Sequence, residues 1–161
     1  MILQIVGYKK SGKTTLMAHT IKQLKLNNYK VATIKHHGDV CNDQVQDIEL
    51  QNADVDHMKH FKAGADQSIV QGLNYQQSVS RSPKQTLTEI IQKSVTIDTN
   101  IILVEGYKDA DFSKVLVYKD KEELKQLNHL SNIKYRINLH EQNALDRYNQ
   151  WLLAFIQEGM K

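Results

Sequence analysis

One stretch, Gly7-Tyr8-Lys9-Lys10-Ser11-Gly12-Lys13-Thr14-Thr15, carries the most specific chemistry in the chain. It fits G-x-x-x-x-G-K-[ST], a loop whose backbone wraps phosphate oxygens. Gly7 and Gly12 adopt backbone angles closed to other residues and let the main chain approach a phosphate closely. Successive amides through Lys10 and Ser11, with the dipole of a following helix, supply partial positive charge. Lys13 should reach the β and γ phosphates. The Thr14 hydroxyl is placed to ligate Mg²⁺, and Thr15 either supports the loop from behind or binds the α phosphate.

A second functional acid is expected at Glu105. The apolar run Asn100-Ile101-Ile102-Leu103-Val104 reads as a central strand, and an apolar strand that ends in a carboxylate is the generic partner of a phosphate loop. That carboxylate holds Mg²⁺, often through water, or orients an attacking water, so Glu105 is a candidate for both catalysis and metal binding. Asp56 is a second acidic candidate, near Mg²⁺ behind the direct ligands, although an Asp at the start of a helix also reads as its cap. Asp120 could accept two hydrogen bonds from guanine N1 and N2, with a solvated turn as the alternative. The guanine-reading pattern N-K-x-D is absent. His36-His37 with Cys41 invites a metal reading, but adjacent strand residues point to opposite faces and the spacing matches no common zinc pattern. The other readings are a contact from Lys35 and one of these histidines to an acidic ligand, and a plain polar strand end.

These residues need elements to hold them. Ile2-Leu3-Gln4-Ile5-Val6 reads as a buried strand before the loop, and Leu16, Met17, Ile21 and Leu24 mark one face of a helix after it. The helix should stop near Asn27-Asn28, and Lys30–Lys35 should form a second strand in the same parallel sheet. Ligands gather at the carboxyl ends of such strands, where Lys35, His36, His37, Gly38 and Asp39 fall. Residues 39–55 are polar and acidic, with Asp43 among them, and read as a long loop. A short helix is expected over 56–65, with Asp54 or Asp56 as cap and Gly64 as stop. Gln67–Gln71 and Asn74–Ser80 suggest an antiparallel hairpin at the sheet edge. Pro83 suits the first turn of a helix capped by Ser82, with Leu87, Ile90, Ile91 and Val95 on its buried face. Lys114–Lys119 and Tyr135–Asn138 read as further strands. The closing helix, 141–158, carries a stripe of Leu145, Tyr148, Trp151, Leu152, Phe155 and Ile156, for core packing or dimer contact.

The chain has 161 residues, 40% hydrophobic and 24% charged, with a formal net charge of +3. These values suit one domain, 1–161. The strand, glycine loop and helix, with the strands that follow, point to an α/β three-layer fold of the P-loop NTPase kind, a mostly parallel sheet and an edge hairpin. No block of like charge implies a nucleic-acid stripe or a membrane patch. The single Cys41 cannot form an internal disulfide, and no leader precedes the first strand, so a cytoplasmic protein is expected.

In order and spacing, Gly7 to Thr15, Lys35-His36, Asp56 ahead of Ala63-Gly64-Ala65, and Leu103-Val104-Glu105-Gly106-Tyr107-Lys108 resemble the MobB family. That is the adapter family of molybdopterin-guanine dinucleotide biosynthesis. The resemblance implies a homodimer that binds GTP with Mg²⁺ and hydrolyses it weakly. It also implies assistance to a guanylyltransferase partner that joins molybdopterin to GMP. Carried over by position, Gly12, Lys13 and Thr14 hold phosphate and metal, with Asp56 and Glu105 as the acids. Two other classes compete: a small-molecule kinase, and a metallochaperone GTPase using His36, His37 and Cys41. A kinase commonly closes arginines over the phosphates, and the only arginines here are Arg81, Arg136 and Arg147.

Overall fold

A computed structural model of the chain describes residues 1–37, the backbone of 40–41 and 44–45, and residues 47–159. Gly38, Asp39, Asp43 and the side chain of Cys41 lie outside the described residues. In chain order, β1 (Ile2–Val6) leads through the glycine loop into α1 (Lys13–Leu26), then β2 (Val31–Lys35) and two short strands, β3 (Val40–Cys41) and β4 (Gln44–Val45). Next come α2 (Asp56–Lys62), β5 (Gln67–Gln71), β6 (Gln76–Ser80) and α3 (Leu87–Ser94). The chain continues with β7 (Ile101–Glu105), β8 (Lys114–Val117), α4 (Lys121–Leu127), β9 (Ile133–Ile137) and α5 (Ala144–Gly159).

Five strands form one sheet in the order β2-β7-β1-β8-β9, and every pairing in it is parallel. The first two strands share the sheet as expected, with β7 between them. Parallel strands need both faces covered, which explains the near-continuous apolar runs of β7 and β8. On one face Leu3, Ile5, Leu103, Val115 and Val117 meet Leu16 and Leu24 of α1 and Tyr148, Leu152 and Ile156 of α5. On the other, Ile102 and Val104 meet Leu87 of α3, while Val6 and Leu116 meet Leu127 of α4. The result is the three-layer α/β arrangement, with the central strand β1 feeding the glycine loop. No helix among the described residues is long and apolar enough to cross a membrane.

Three local expectations are corrected. The hairpin of β5 and β6 forms, in register from Gln67 opposite Ser80 to Gln71 opposite Gln76, but as a two-stranded sheet of its own and not at the edge of the central sheet. It packs on α2 instead, where the Ser68 hydroxyl donates to the His57 carbonyl. The helix after Pro83 begins at Leu87, because Thr86 and Glu89 form a reciprocal capping box and leave Pro83 outside. Asp120, whose carboxylate accepts from the Glu122 and Glu123 amides, caps α4, a helix the apolar pattern did not reveal.

The stripe of α5 is mostly core. Tyr148 is fully buried, and Trp151 stacks between Tyr135 and Phe155 with ring centroids 4.7 and 5.0 Å away. Thr20 gives its hydroxyl proton to the Leu16 carbonyl, so Tyr148 donates to Thr20 Oγ1 at 2.8 Å. Burial holds the Tyr148 phenol far above its usual titration range. Tyr148→Phe should therefore cost about 1 kcal/mol, seen in calorimetry as a fall in Tm of roughly 2–4 °C. An unchanged or higher Tm would show that this bond adds nothing to stability.

Candidate functional site

The carboxyl ends of β1, β2 and β7 open into a cleft of about 870 Å³. The glycine loop forms its floor. Gly7 sits where a Cβ would lie 2.3 Å from the Val117 carbonyl oxygen, so only glycine lets the loop lie this close to β8. Lys10 (φ 62°) and Gly12 (φ 99°) adopt left-handed backbone, and the Ser11 amide closes a turn on the Tyr8 carbonyl at 3.2 Å. A Cβ on Gly12 would meet Leu139 Cδ1 at 2.6 Å, a packing partner that no sequence pattern signalled. The Ser11 hydroxyl is buried without a hydrogen-bond partner.

Lys13 and Thr14 open α1. The Lys13 ammonium donates to the Tyr8 carbonyl at 2.6 Å, spanning the loop. Thr14 Oγ1 lies 3.2 Å from each carboxylate oxygen of Glu105. Glu105 is 8% exposed, and its position at the end of β7 beside β1 follows from the parallel register that sets Ile5 opposite it. The structure thus brings together the hydroxyl and the acid that the sequence places 91 positions apart.

The remaining walls are basic. Among the described residues, Lys9, Lys10, Lys13, Lys35, Lys84 and Lys108 line the cleft, six lysines against two acids, Glu105 and Asp109. His36 packs on Tyr107 with ring centroids 4.4 Å apart, and Gly106 leaves room for it, since a Cβ there would lie 2.9 Å from that of His36. Lys108 sits 4.5 Å above the Tyr8 ring. Burial raises the Tyr107 phenol above its usual range. The cleft suits a multiply charged anion carrying hard oxygen atoms.

Of the residues singled out from sequence, Gly7, Lys10, Lys13, Thr14, Glu105, Lys35, His36 and His37 line the cleft. Ser11, Gly12 and Thr15 shape the loop and helix start without lining it. Asp56 is not brought there. As the first residue of α2 its side chain is 90% exposed and pairs with Lys59 at 3.0 Å, and it does not cap the helix, whose N-cap position is Val55. All three arginines are engaged elsewhere. Arg81 donates to the Phe61 carbonyl, Arg136 to Asn128 and Arg147 to Glu141. Among the described residues no group of three or more His, Cys, Asp or Glu gathers around a point. Lys84 was missed because it precedes its helix in an unpatterned stretch.

A glycine loop between a central parallel strand and a helix, facing an acid from the neighbouring strand, defines a P-loop NTPase-like α/β protein. The sequence profile of MobB, Molybdopterin guanine dinucleotide synthesis protein B, matches residues 2–137, and the chain belongs to that family. A Bacillus subtilis (strain 168) relative, named "Probable molybdopterin-guanine dinucleotide biosynthesis adapter protein", is 31% identical over 126 residues, which cover 78% of this chain and 69% of the relative. The Haemophilus influenzae adapter protein is 29% identical over 121 residues, covering 74% of this chain and 64% of its own length. Among solved structures, a MobB homologue from Bacillus stearothermophilus superposes with a TM-score of 0.73 at 27% identity, covering 98% of both chains. The Bacillus subtilis MobB structure does so at 0.68, covering 95% of this chain and 96% of its own, and its 24% identity speaks for the fold alone.

Proposed function

We propose that this chain is a GTP-binding adapter of molybdopterin guanine dinucleotide biosynthesis. It holds GTP with Mg²⁺ and assists a guanylyltransferase that joins molybdopterin to GMP. The carrying observation is the Thr14–Glu105 contact at the mouth of a lysine-lined phosphate loop. The family membership and the adapter names of the relatives support the pathway.

The donor set fits Mg²⁺, a hard cation that keeps several waters and takes oxygen ligands. Thr14 and Glu105 would hold it, and the ion would neutralise phosphate charge. Gly7, Lys10, Ser11, Gly12, Lys13 and Thr15 form the loop around the phosphates. Hydrolysis is slow in this reading because no arginine lines the cleft to stabilise charge that develops during transfer. That same feature disfavours the kinase reading. Residues 1–161 act as one nucleotide-binding domain in a cytoplasmic homodimer. The dimer is supported by the turn between β5 and β6, where Leu73 is 96% and Tyr75 85% exposed.

Titration of GTP and of ATP, each with Mg²⁺, into the purified protein tests the proposal. GTP should bind more tightly by at least about tenfold, and turnover alone should stay below roughly 1 s⁻¹. Addition of molybdopterin and the guanylyltransferase should then yield dinucleotide faster than the transferase alone. Equal or tighter ATP binding, with rapid transfer to a small acceptor, would replace the adapter with a kinase.

A further inference from the structure

The structure assigns Gln4 and Lys114 as positioning residues that pin the cleft wall of residues 106–112 through its backbone carbonyls. The assignment rests on the nucleotide-site reading only for what the wall is for. The pinning itself is read from hydrogen bonds.

Gln4 of β1 and Lys114 of β8 stand opposite each other in the parallel register, so both point to the same face of the sheet. Both are fully buried. On that face, Leu87 of α3 packs with Ile102 and Val104, while Leu127 of α4 packs with Val6 and Leu116. Between these two apolar patches the sheet is roofed by the loop that leaves Glu105. Tyr107, Ala110 and Phe112 of the loop pack into the first patch. A loop crossing a sheet in this way has carbonyls with no ladder to join.

The two side chains supply the missing donors. Gln4 Nε2 donates to the Gly106 carbonyl at 3.1 Å and to that of Tyr107 at 2.7 Å. Lys114 Nζ donates to the carbonyls of Ala110 and Phe112. Four carbonyls along the loop are thus tied to two central strands. Gly106, Tyr107, Lys108, Asp109 and Ala110 of the same loop form one wall of the cleft. Tyr107 is held there in left-handed backbone at φ 52°, a conformation that needs support from outside the residue.

This arrangement is costly enough to need a reason. Gln4 Oε1 is buried with no hydrogen-bond partner, and burial lowers the affinity of the Lys114 amine for its proton, opposed only by Asp111 and Asp109 nearby. Apolar residues of similar size would fill both strands without these penalties. What they would not do is hold the wall in register with Glu105.

The test uses the full-length protein and two variants, Gln4→Met and Lys114→Met. Methionine is close in length to either side chain and has no N–H to give the loop. Amide hydrogen exchange without nucleotide comes first. The reporter is the Ala110 amide, which donates to the Tyr107 carbonyl at 3.0 Å within the loop. In both variants it should exchange at least about tenfold faster, with the amides of α5 within about threefold of the parent. Titration of GTP with Mg²⁺ follows, and affinity should fall by roughly five- to thirtyfold. Unchanged exchange at Ala110 in Gln4→Met overturns the pinning, and faster exchange there with intact affinity overturns the positioning role. If the parent itself fails to bind GTP, the nucleotide reading falls and the exchange arm alone decides the pinning. Should Lys114→Met not fold, Gln4→Met carries the test by itself.

Discussion

Lys13→Ala lowers the affinity for GTP with Mg²⁺ by about ten- to a hundredfold in calorimetric titration. The estimate follows from a charge-assisted contact worth about 1.5–3 kcal/mol. Lys13 directly follows Gly12 and opens α1, and its ammonium already lies across the loop on the Tyr8 carbonyl. Five other lysines line the cleft, so the long-range field survives the substitution. The loss therefore measures the local contact, not a general attraction for anions, and two observations separate them. Raising salt should weaken binding by both proteins to a similar degree, because exposed charges are screened alike in each. Lys84→Ala, a cleft lysine outside the glycine loop, should lower affinity by less than about threefold. An unchanged affinity in Lys13→Ala would remove the phosphate-loop reading altogether.

Much of the site was legible because its parts are local in sequence. The loop, its strand and its helix are consecutive, and their residue types follow from the chemistry of phosphate. Glu105 was legible for a different reason: a fully apolar strand must lie inside a parallel sheet, and such a strand ends where the ligands are. From sequence, Thr14 and Glu105 stand separately as Mg²⁺ ligands, and in the fold the Thr14 hydroxyl lies 3.2 Å from both carboxylate oxygens.

What stayed hidden depends on long-range packing. Leu139 backs Gly12 from beyond β9, and nothing in a local pattern ties residue 139 to residue 12. Asp56 looked functional because it follows a polar loop from the active rim, but α2 joins the hairpin and turns that carboxylate to solvent. Pro83 misled because a proline tolerates a first turn without requiring one, and Thr86 with Glu89 makes the stronger start. The signals for Gln4 and Lys114 were present as polar residues inside otherwise apolar strands. Only the register, which sets them side by side beneath one loop, gives them a joint purpose.

Gly7→Ala combines the loss of a ligand site with a loss of stability. The added Cβ would lie 2.3 Å from the Val117 carbonyl oxygen and 2.6 Å from Ser11 Oγ. The serine side chain can rotate, but the carbonyl belongs to β8, a buried strand held between β1 and β9. The loop must therefore move away, carrying with it the amides that face the phosphates. Forced relief of this kind costs about 1–3 kcal/mol, a fall in Tm of roughly 2–4 °C per kcal/mol for a chain of this size. Affinity for GTP with Mg²⁺ should fall by at least about tenfold, since misplacing several amides acts on every phosphate contact together. Gly64→Ala is the matched control. Gly64 has φ 118°, so alanine is strained there as well, but no atom lies within 4 Å of the new Cβ. That variant should lose stability through backbone strain and keep its affinity. If Gly7→Ala also kept its affinity, the close approach of the loop to β8 would be a packing feature with no part in holding phosphate.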